Sequence, residues 1–579
     1  MKFPEHYGLP VDLARRRFVQ GITHFGALAS LGLMTPSFLY AATDNTLVSD
    51  LPVLEGPNFE LIIEEVLVNF TGTPFRGIGI NGSVPAPTLR MREGDEITIR
   101  VTNKLQVNSS LHWHGIILPE NMDGVPGLSF AGIRPGETFV YKFKAQQNGT
   151  YWYHSHSGHQ EQSGLYGALI IEPRQADVVH VEHDYVILLS DWADSTPQQI
   201  YTNLKKLSHY YNTRERTLGD FIRESQKDGL AKTFSNRQMW NDMRMSDRDI
   251  SDVTGKLYTF LANGQTPQEG WEGLFRLGER VRLRFINGSA MTFFDVRIPG
   301  LKMQVIGSDG QYVRPIDGID EFRIGVAESY DVIVQPAAGA YTIFAQAIDR
   351  SGYARGTLTS RAGQRAAIPA YDPMPVLSHA DMGMGGMEMG DMAGMDHSAM
   401  EHEASSYKPR VPIKMGPHID MMATNPQVRL NDPGVGLRNN GRRVLTYADL
   451  YNLTPTRDKR PPSREIELHL TGNMSRYMWS INGVSFMEAK PIALKFGERV
   501  RFTFINNTMM NHPMHMHGMW SELETGDPNY LPRKHTVVVQ PGAKISYLLT
   551  ADALGQWAFH CHMLYHMDGM MRTVVVAKA

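Results

Sequence analysis

Three stretches of the chain alternate apolar and polar residues with a period of two, and all three are introduced in the same way. An Asn-Gly pair comes first, a Gly-acid pair follows, and the alternating run then ends in Asn. The copies are Asn81-Gly82 with the run from Gly94-Asp95 to Asn103, Asn263-Gly264 with Gly278-Glu279 to Asn287, and Asn482-Gly483 with Gly497-Glu498 to Asn506. A period of two gives a strand one buried and one wet face. Asn-Gly favours a tight turn because both residues tolerate positive φ. Copies spaced by about 200 residues are too far apart for a solenoid and predict three homologous β-sandwich domains, expected at 50–175, 176–370 and 442–579.

Two segments interrupt the pattern. Residues 196–249 open with Thr196-Pro197, an N-cap followed by a first helical position, and continue with helix-forming residues, so a helical insert is expected in the second domain. Residues 371–441 contain Asp381-Met382-Gly383-Met384-Gly385-Gly386-Met387-Glu388-Met389. Gly, Met and acid at that density do not pack as a regular element, and a Met-rich flexible linker is expected before the third domain.

At 579 residues the chain has room for several cores. Charged residues make up 20% and the formal net charge is −3, which excludes a disordered polyelectrolyte and a general nucleic-acid binder. The unusual counts are one Cys, 32 Met and 22 His. A single Cys excludes an internal disulfide and any zinc site built from several thiolates. Near the start, Arg15-Arg16-Arg17-Phe18-Val19-Gln20 precedes a mild apolar run to Tyr40. This resembles a twin-arginine export signal over residues 1–42, and implies the twin-arginine machinery as a partner and a periplasmic location. The run is too broken by Gly and Ser for a membrane anchor, and no later segment would insert stably in a bilayer.

Ten histidines fall in four short clusters: His112 and His114; His154 and His156; His512, His515 and His517; His560, His562 and His566. In a strand, residues i and i+2 project from one face, so each His-x-His offers two imidazoles to one point. Four such pairs supply eight nitrogens, enough for three metal ions completed by water or oxygen. Imidazole by itself suits copper, iron, zinc or nickel; a lone thiolate with two further imidazoles and a weak thioether is the blue-copper arrangement. That second set is present as His512, His566, Cys561 and Met571, with Cys561 between His560 and His562 and pointing to the opposite face.

The four motifs, in this order, resemble those of the multicopper oxidase family over about residues 50–579. The resemblance implies an all-β chain of three cupredoxin-like Greek-key domains and four copper ions, one type 1, one type 2 and two type 3. It implies Cys561, His512 and His566 as type 1 ligands with Met571 as the axial thioether. His112 and His515 would be the type 2 ligands. The type 3 sets would be His114, His154 and His562, and His156, His517 and His560. Family members usually carry Gly or Ala just before the axial residue; here Met570 stands there, and it is the alternative axial ligand. Asp123 resembles the family's proton-relay acid. The middle repeat continues Ser289-Ala290-Met291 where its neighbours carry histidines, so the second domain is expected to hold no catalytic copper.

The implied reaction is one-electron oxidation of a donor coupled to the four-electron reduction of dioxygen to water. Eleven methionines between Met374 and Met422 point to the donor, because thioethers are soft, uncharged ligands that select Cu(I). With the export signal, they make the chain look like the copper-resistance branch of the family, oxidising Cu(I) to Cu(II). The rival readings are a laccase-type oxidase of phenols or diamines, with another small reducing substrate, and a copper-sequestering protein with incidental oxidase activity.

Overall fold

The structure, a computed structural model, describes residues 51–384 and 407–578. The expected export signal and the Met tract from 385 to 406 lie outside the described residues. The strands form six sheets, one pair of sheets from each of three successive stretches of the chain. The first pair uses strands between Val53 and Glu172, the second strands between His183 and Thr359, and the third strands between Arg464 and Ala577. The all-β reading and the helical insert of the second domain both hold.

The repeated motif has one structural role, carried out three times. Asn81, Asn263 and Asn482 take φ of 53°, 51° and 55°, and their side-chain oxygens accept from the amides of Ile62, Leu188 and His469 at 2.7–2.8 Å. Each alternating run lies parallel to an early strand of its domain and antiparallel to a later one. The closing Asn is fully buried and pins the loop that follows. Asn103 Nδ2 donates to the carbonyls of Val107 and Ile133, Asn287 Nδ2 to those of Thr292 and Ile324, and Asn506 Nδ2 to those of Met510 and Val539, at 2.7–3.2 Å. A buried amide that fills its hydrogen-bonding capacity fixes backbone geometry. In the first and third domains the pinned loop delivers the next strand, His112–His114 or His512–Met516. In the second the loop carries Ala290 and Met291, whose amides both donate to the buried Asp191 carboxylate, at 2.9 and 3.0 Å.

The insert folds as three helices, Pro197–Lys206, Leu218–Asp228 and Leu230–Asp242. Thr196 caps the first by accepting from the Gln199 amide, as its place before Pro197 predicts. The insert leans on the third domain, with Lys205 Nζ donating to the Tyr477 carbonyl at 2.7 Å.

The stretch 371–441 has no helix or strand among its described residues, yet it is held down. Leu377, Met382, Met421, Ala423 and Leu437 are buried. Asp295, fully buried in the second domain, accepts from Arg323 Nε (2.7 Å) and Arg350 Nη1 (2.6 Å), and these guanidiniums also donate to the carbonyls of Val435 and Gly436. Two arginines on one buried carboxylate therefore lash the segment to the sandwich. Replacing Asp295 by Ala leaves both cations buried and unopposed, a loss of about 3–5 kcal/mol. Urea unfolding of Asp295→Ala is expected to show a clearly lowered midpoint; an unchanged midpoint would remove this pair from the account.

Candidate metal centre

The early and late histidine pairs, some 400 positions apart in the chain, meet between the first and third domains. In the first domain His112 sits opposite His154 across an antiparallel pair, and in the third His515 sits opposite His560. Stacking brings the domains together: the ring centres of His112 and His517 are 3.9 Å apart, and those of His114 and His515 are 3.7 Å apart. The closest nitrogens are His156 Nε2 and His560 Nε2 at 3.3 Å, His154 Nε2 and His562 Nε2 at 3.3 Å, and His517 Nε2 and His560 Nε2 at 3.1 Å.

Outer partners fix which nitrogen faces inward. Nδ1 of His112 donates to the Asp123 carbonyl (2.8 Å), of His517 to Asp123 Oδ2 (2.8 Å), of His515 to the His535 carbonyl (2.7 Å) and of His560 to the Cys561 carbonyl (2.9 Å). His154 Nδ1 lies 2.6 Å from Glu161 Oε2. An N–H committed outward leaves Nε2 with a lone pair pointing in. His114 is reversed: its Nε2 faces Thr536 Oγ1 (3.2 Å), and its Nδ1 has no hydrogen-bond partner among the described residues. The Nε2 atoms of His112 and His515 are likewise unpartnered among the described residues.

Burial holds these imidazoles neutral. It drives His114, His154, His156, His515, His517 and His562 well below the ordinary histidine range, reinforced by neighbouring rings, and lowers His560 to about 4. Neutral lone pairs crowded together in a dry site repel one another; a cation among them turns each repulsion into a bond. The residues present therefore fit a cluster of metal ions.

A second group lies alongside. Cys561 Sγ is 3.5 Å from His512 Nδ1 and 3.8 Å from His566 Nδ1, and the two Nδ1 atoms are 3.3 Å apart. Thr508 Oγ1 holds His512 Nε2 at 2.7 Å, and Asp252 Oδ2 holds His566 Nε2 at 2.7 Å, so both rings present Nδ1 to the sulfur. Trp479 stacks on His566 with ring centres 3.8 Å apart. Burial pushes the Cys561 thiol far up, which suits a sulfur that ionises only by binding a metal.

Met571 and Met570, the expected axial residue and its alternative, pack in different places. The register pairs it with His560, and residues paired across a sheet share a face. Met571 therefore turns with Ala558 toward Val125 of the first domain. Met570 packs fully buried in the same core as Cys561, whose amide donates to the Met570 carbonyl at 3.0 Å.

Asp123 Oδ1 lies 3.3 Å from His112 Nδ1, besides the bond of its Oδ2 to His517. Sequence reasoning missed Glu161, Asp252, Thr508 and His535. His535 Nδ1 lies 3.1 Å from His114 Nε2, and its ring packs where a Cβ on Gly115 would stand 2.4 Å away. Nothing in the sequence marks His535, or Asp252, which follows the insert.

Residues 63–176, 183–372 and 459–579 each match a family model described as multicopper oxidase. The chain is 51% identical over 610 aligned residues to "Copper resistance protein A" of Pseudomonas syringae pv. tomato, covering 98% of this chain and 99% of that protein. It is also 51% identical to "Copper resistance protein A" of Escherichia coli, covering 98% and 99%. Among solved structures, the laccase from Botrytis aclada superposes with a TM-score of 0.62 at 21% identity, covering 91% of this chain and 88% of that one, a likeness of fold. With the three models spanning most of the chain and these identities running its full length, the chain belongs to the multicopper oxidase family, copper-containing oxidoreductases that act with dioxygen.

Proposed function

We propose that the protein is a periplasmic cuprous oxidase, exported by the twin-arginine signal over residues 1–42, in which Cu(I) is the electron donor and dioxygen is reduced to water. Cys561, His512, His566 and Met570 hold one type 1 copper. His112 and His515 hold the type 2 ion, and His114, His154 and His562 with His156, His517 and His560 hold the type 3 pair. When bound, copper supplies one-electron acceptance at the Cys561 site and four-electron reduction of dioxygen among the eight histidines. The domain boundaries at 50–175, 176–370 and 442–579 are part of the same proposal.

The observation that carries the donor assignment is how His566 is covered. Its ring is fully buried, its Nε2 is bonded to the buried Asp252, and Trp479 lies flat on its face. A bulky aromatic reductant finds no open imidazole edge there, whereas a single small cation needs none. The copper-resistance name of the 51%-identical relatives supports the same reading.

The chain's own residues provide the rest. Cys561 is bonded in sequence to His560 and His562, so the site that receives an electron and the cluster that uses it share backbone. Asp123 bridges rings from both domains: Oδ2 accepts from His517 Nδ1, and Oδ1, without a hydrogen-bond partner among the described residues, can hold a proton beside His112. The second domain supplies no histidine to either site; it carries the insert whose trailing residue Asp252 orients His566.

Oxygen uptake is expected with Cu(I) under catalytic conditions, at four Cu(I) per dioxygen, with phenols poor by comparison. Copper binding without Cu(I)-driven uptake would leave the sequestering reading in place. Met570→Leu is expected to raise the type 1 potential and alter the blue spectrum, because the axial ligand tunes both, while Met571→Leu leaves them alone; the reverse pattern would restore Met571. Asp123→Asn is expected to slow turnover by about 10²-fold with the blue absorption intact, and full turnover would strip Asp123 of its proton role.

A further inference from the structure

The second domain holds none of the ten clustered histidines, yet its buried acids reach the stretch that orients two of them. Residue 535 is the corner where the third domain crosses from one sheet to the other. Arg533–Lys534 pairs with Ser521–Leu523 in one sheet, and Thr536–Val539 forms the edge of the next, beside His512–Met516. An edge strand leaves every second amide without a partner in its sheet. Here side chains take those amides: Thr536 N donates to Asp309 Oδ2 at 3.2 Å and Val538 N to Tyr447 Oη at 2.9 Å. The Tyr447 hydroxyl donates in turn to Glu328 Oε1 at 2.7 Å.

Lys534 completes the joint. Its ammonium is fully buried, and it meets Asp309 Oδ2 at 3.1 Å, Glu328 Oε1 at 3.1 Å and Ser308 Oγ at 2.9 Å. An ammonium has three protons to donate, so all of its capacity is used. The rings of Tyr330 and Tyr447 stand 5.3 Å from the same nitrogen, adding the attraction of their faces for a desolvated cation. Burial by itself would favour the neutral amine; Asp309 and Glu328 outweigh it and hold the ammonium above its ordinary range. Both acids are fixed in turn. Asp309 sits at φ 48° in the turn after Met303–Ser308, with Oδ1 accepting from the Ser329 amide at 3.1 Å, and Glu328 Oε2 accepts from the Gly325 amide at 2.8 Å.

The corner so held touches two inward-facing rings. The His535 carbonyl accepts from His515 Nδ1 at 2.7 Å, and Thr536 Oγ1 lies 3.2 Å from His114 Nε2. A buried cation whose partners are removed leaves an uncompensated charge, and the chain around it must move. Any displacement of residues 534–536 therefore turns the rings of His515 and His114 together.

We propose that Asp309, Glu328 and Lys534 are positioning residues for the copper cluster, through which the second domain sets the rings of His515 and His114. The proposal rests on the assignment above of His515 to the type 2 ion and His114 to the type 3 pair. It gives a domain without copper ligands a part in the geometry of the cluster. The rings of the Cys561 site are held by other partners, Thr508 and Asp252, so the effect is confined to the cluster.

Spin resonance of the copper-loaded full chain reads the type 2 ion directly. Asp309→Asn is expected to shift the type 2 signal, to weaken retention of that copper against a chelator by at least about tenfold, and to leave the blue absorption unchanged. Lys534→Met combined with Glu328→Gln, which keeps the net charge of the buried group, is expected to shift the same signal. Tyr447→Phe, which removes only the hydroxyl between Val538 and Glu328, is expected to shift it less. Asp295→Ala is the control, because it loosens the second domain away from the corner, and its type 2 signal is expected to match the parent. A signal unchanged in every one of the first three variants that folds, or changed equally in Asp295→Ala, overturns the positioning role while leaving the ligand assignment standing. A copper-loaded parent with blue absorption and no type 2 signal overturns the ligand assignment, and this role with it.

Discussion

Imidazole nitrogens from opposite ends of the chain stand 3.1–3.3 Å apart in a dry interface, and without a cation that proximity is repulsive. The surrounding structure exists to impose it. Stacked rings, paired strands and a ring of outward hydrogen bonds hold lone pairs where water would otherwise disperse them. Folding thus stores an unfavourable arrangement that metal binding relieves, which is why the first and third domains must be locked together before any ion is considered.

The locking is distributed. Asn103 and Asn506 fix the loops that enter the histidine strands, so the strands meet their partners in one register. Asp123, a first-domain residue, reaches across to His517 of the third. Glu161 and the His535 carbonyl do the same work for His154 and His515. Removing any of these acts on the cluster through ring orientation, without touching the inward nitrogens.

The Cys561 site shows the same logic with a different neighbour. Thr508 and Asp252 each take the Nε2 of one ring and leave Nδ1 for the sulfur. Asp252 lies just after the insert in the second domain, so a residue outside the third domain orients a ligand of the Cys561 site. The later flank of the Met-rich stretch is lashed to the second domain by the Asp295 pair of arginines at Val435 and Gly436, and on the earlier flank the His379 ring lies over Trp240. A segment that composition describes as a flexible linker is, in its described part, a surface with fixed side chains.

The sequence by itself determined the sandwiches, the pairing of histidines on strand faces, the isolation of Cys561 between two of them and the chemistry they support, because period-two projection and tight-turn preference are local and survive any context. Only tertiary structure decided that Met571 turns with His560 toward the first domain, that His114 turns the opposite nitrogen inward, and that Glu161, Asp252 and His535 set the rings. Those outcomes depend on the pleat phase after a loop and on which loops three packed domains bring together, and neither quantity is written in the spacing of residues along the chain.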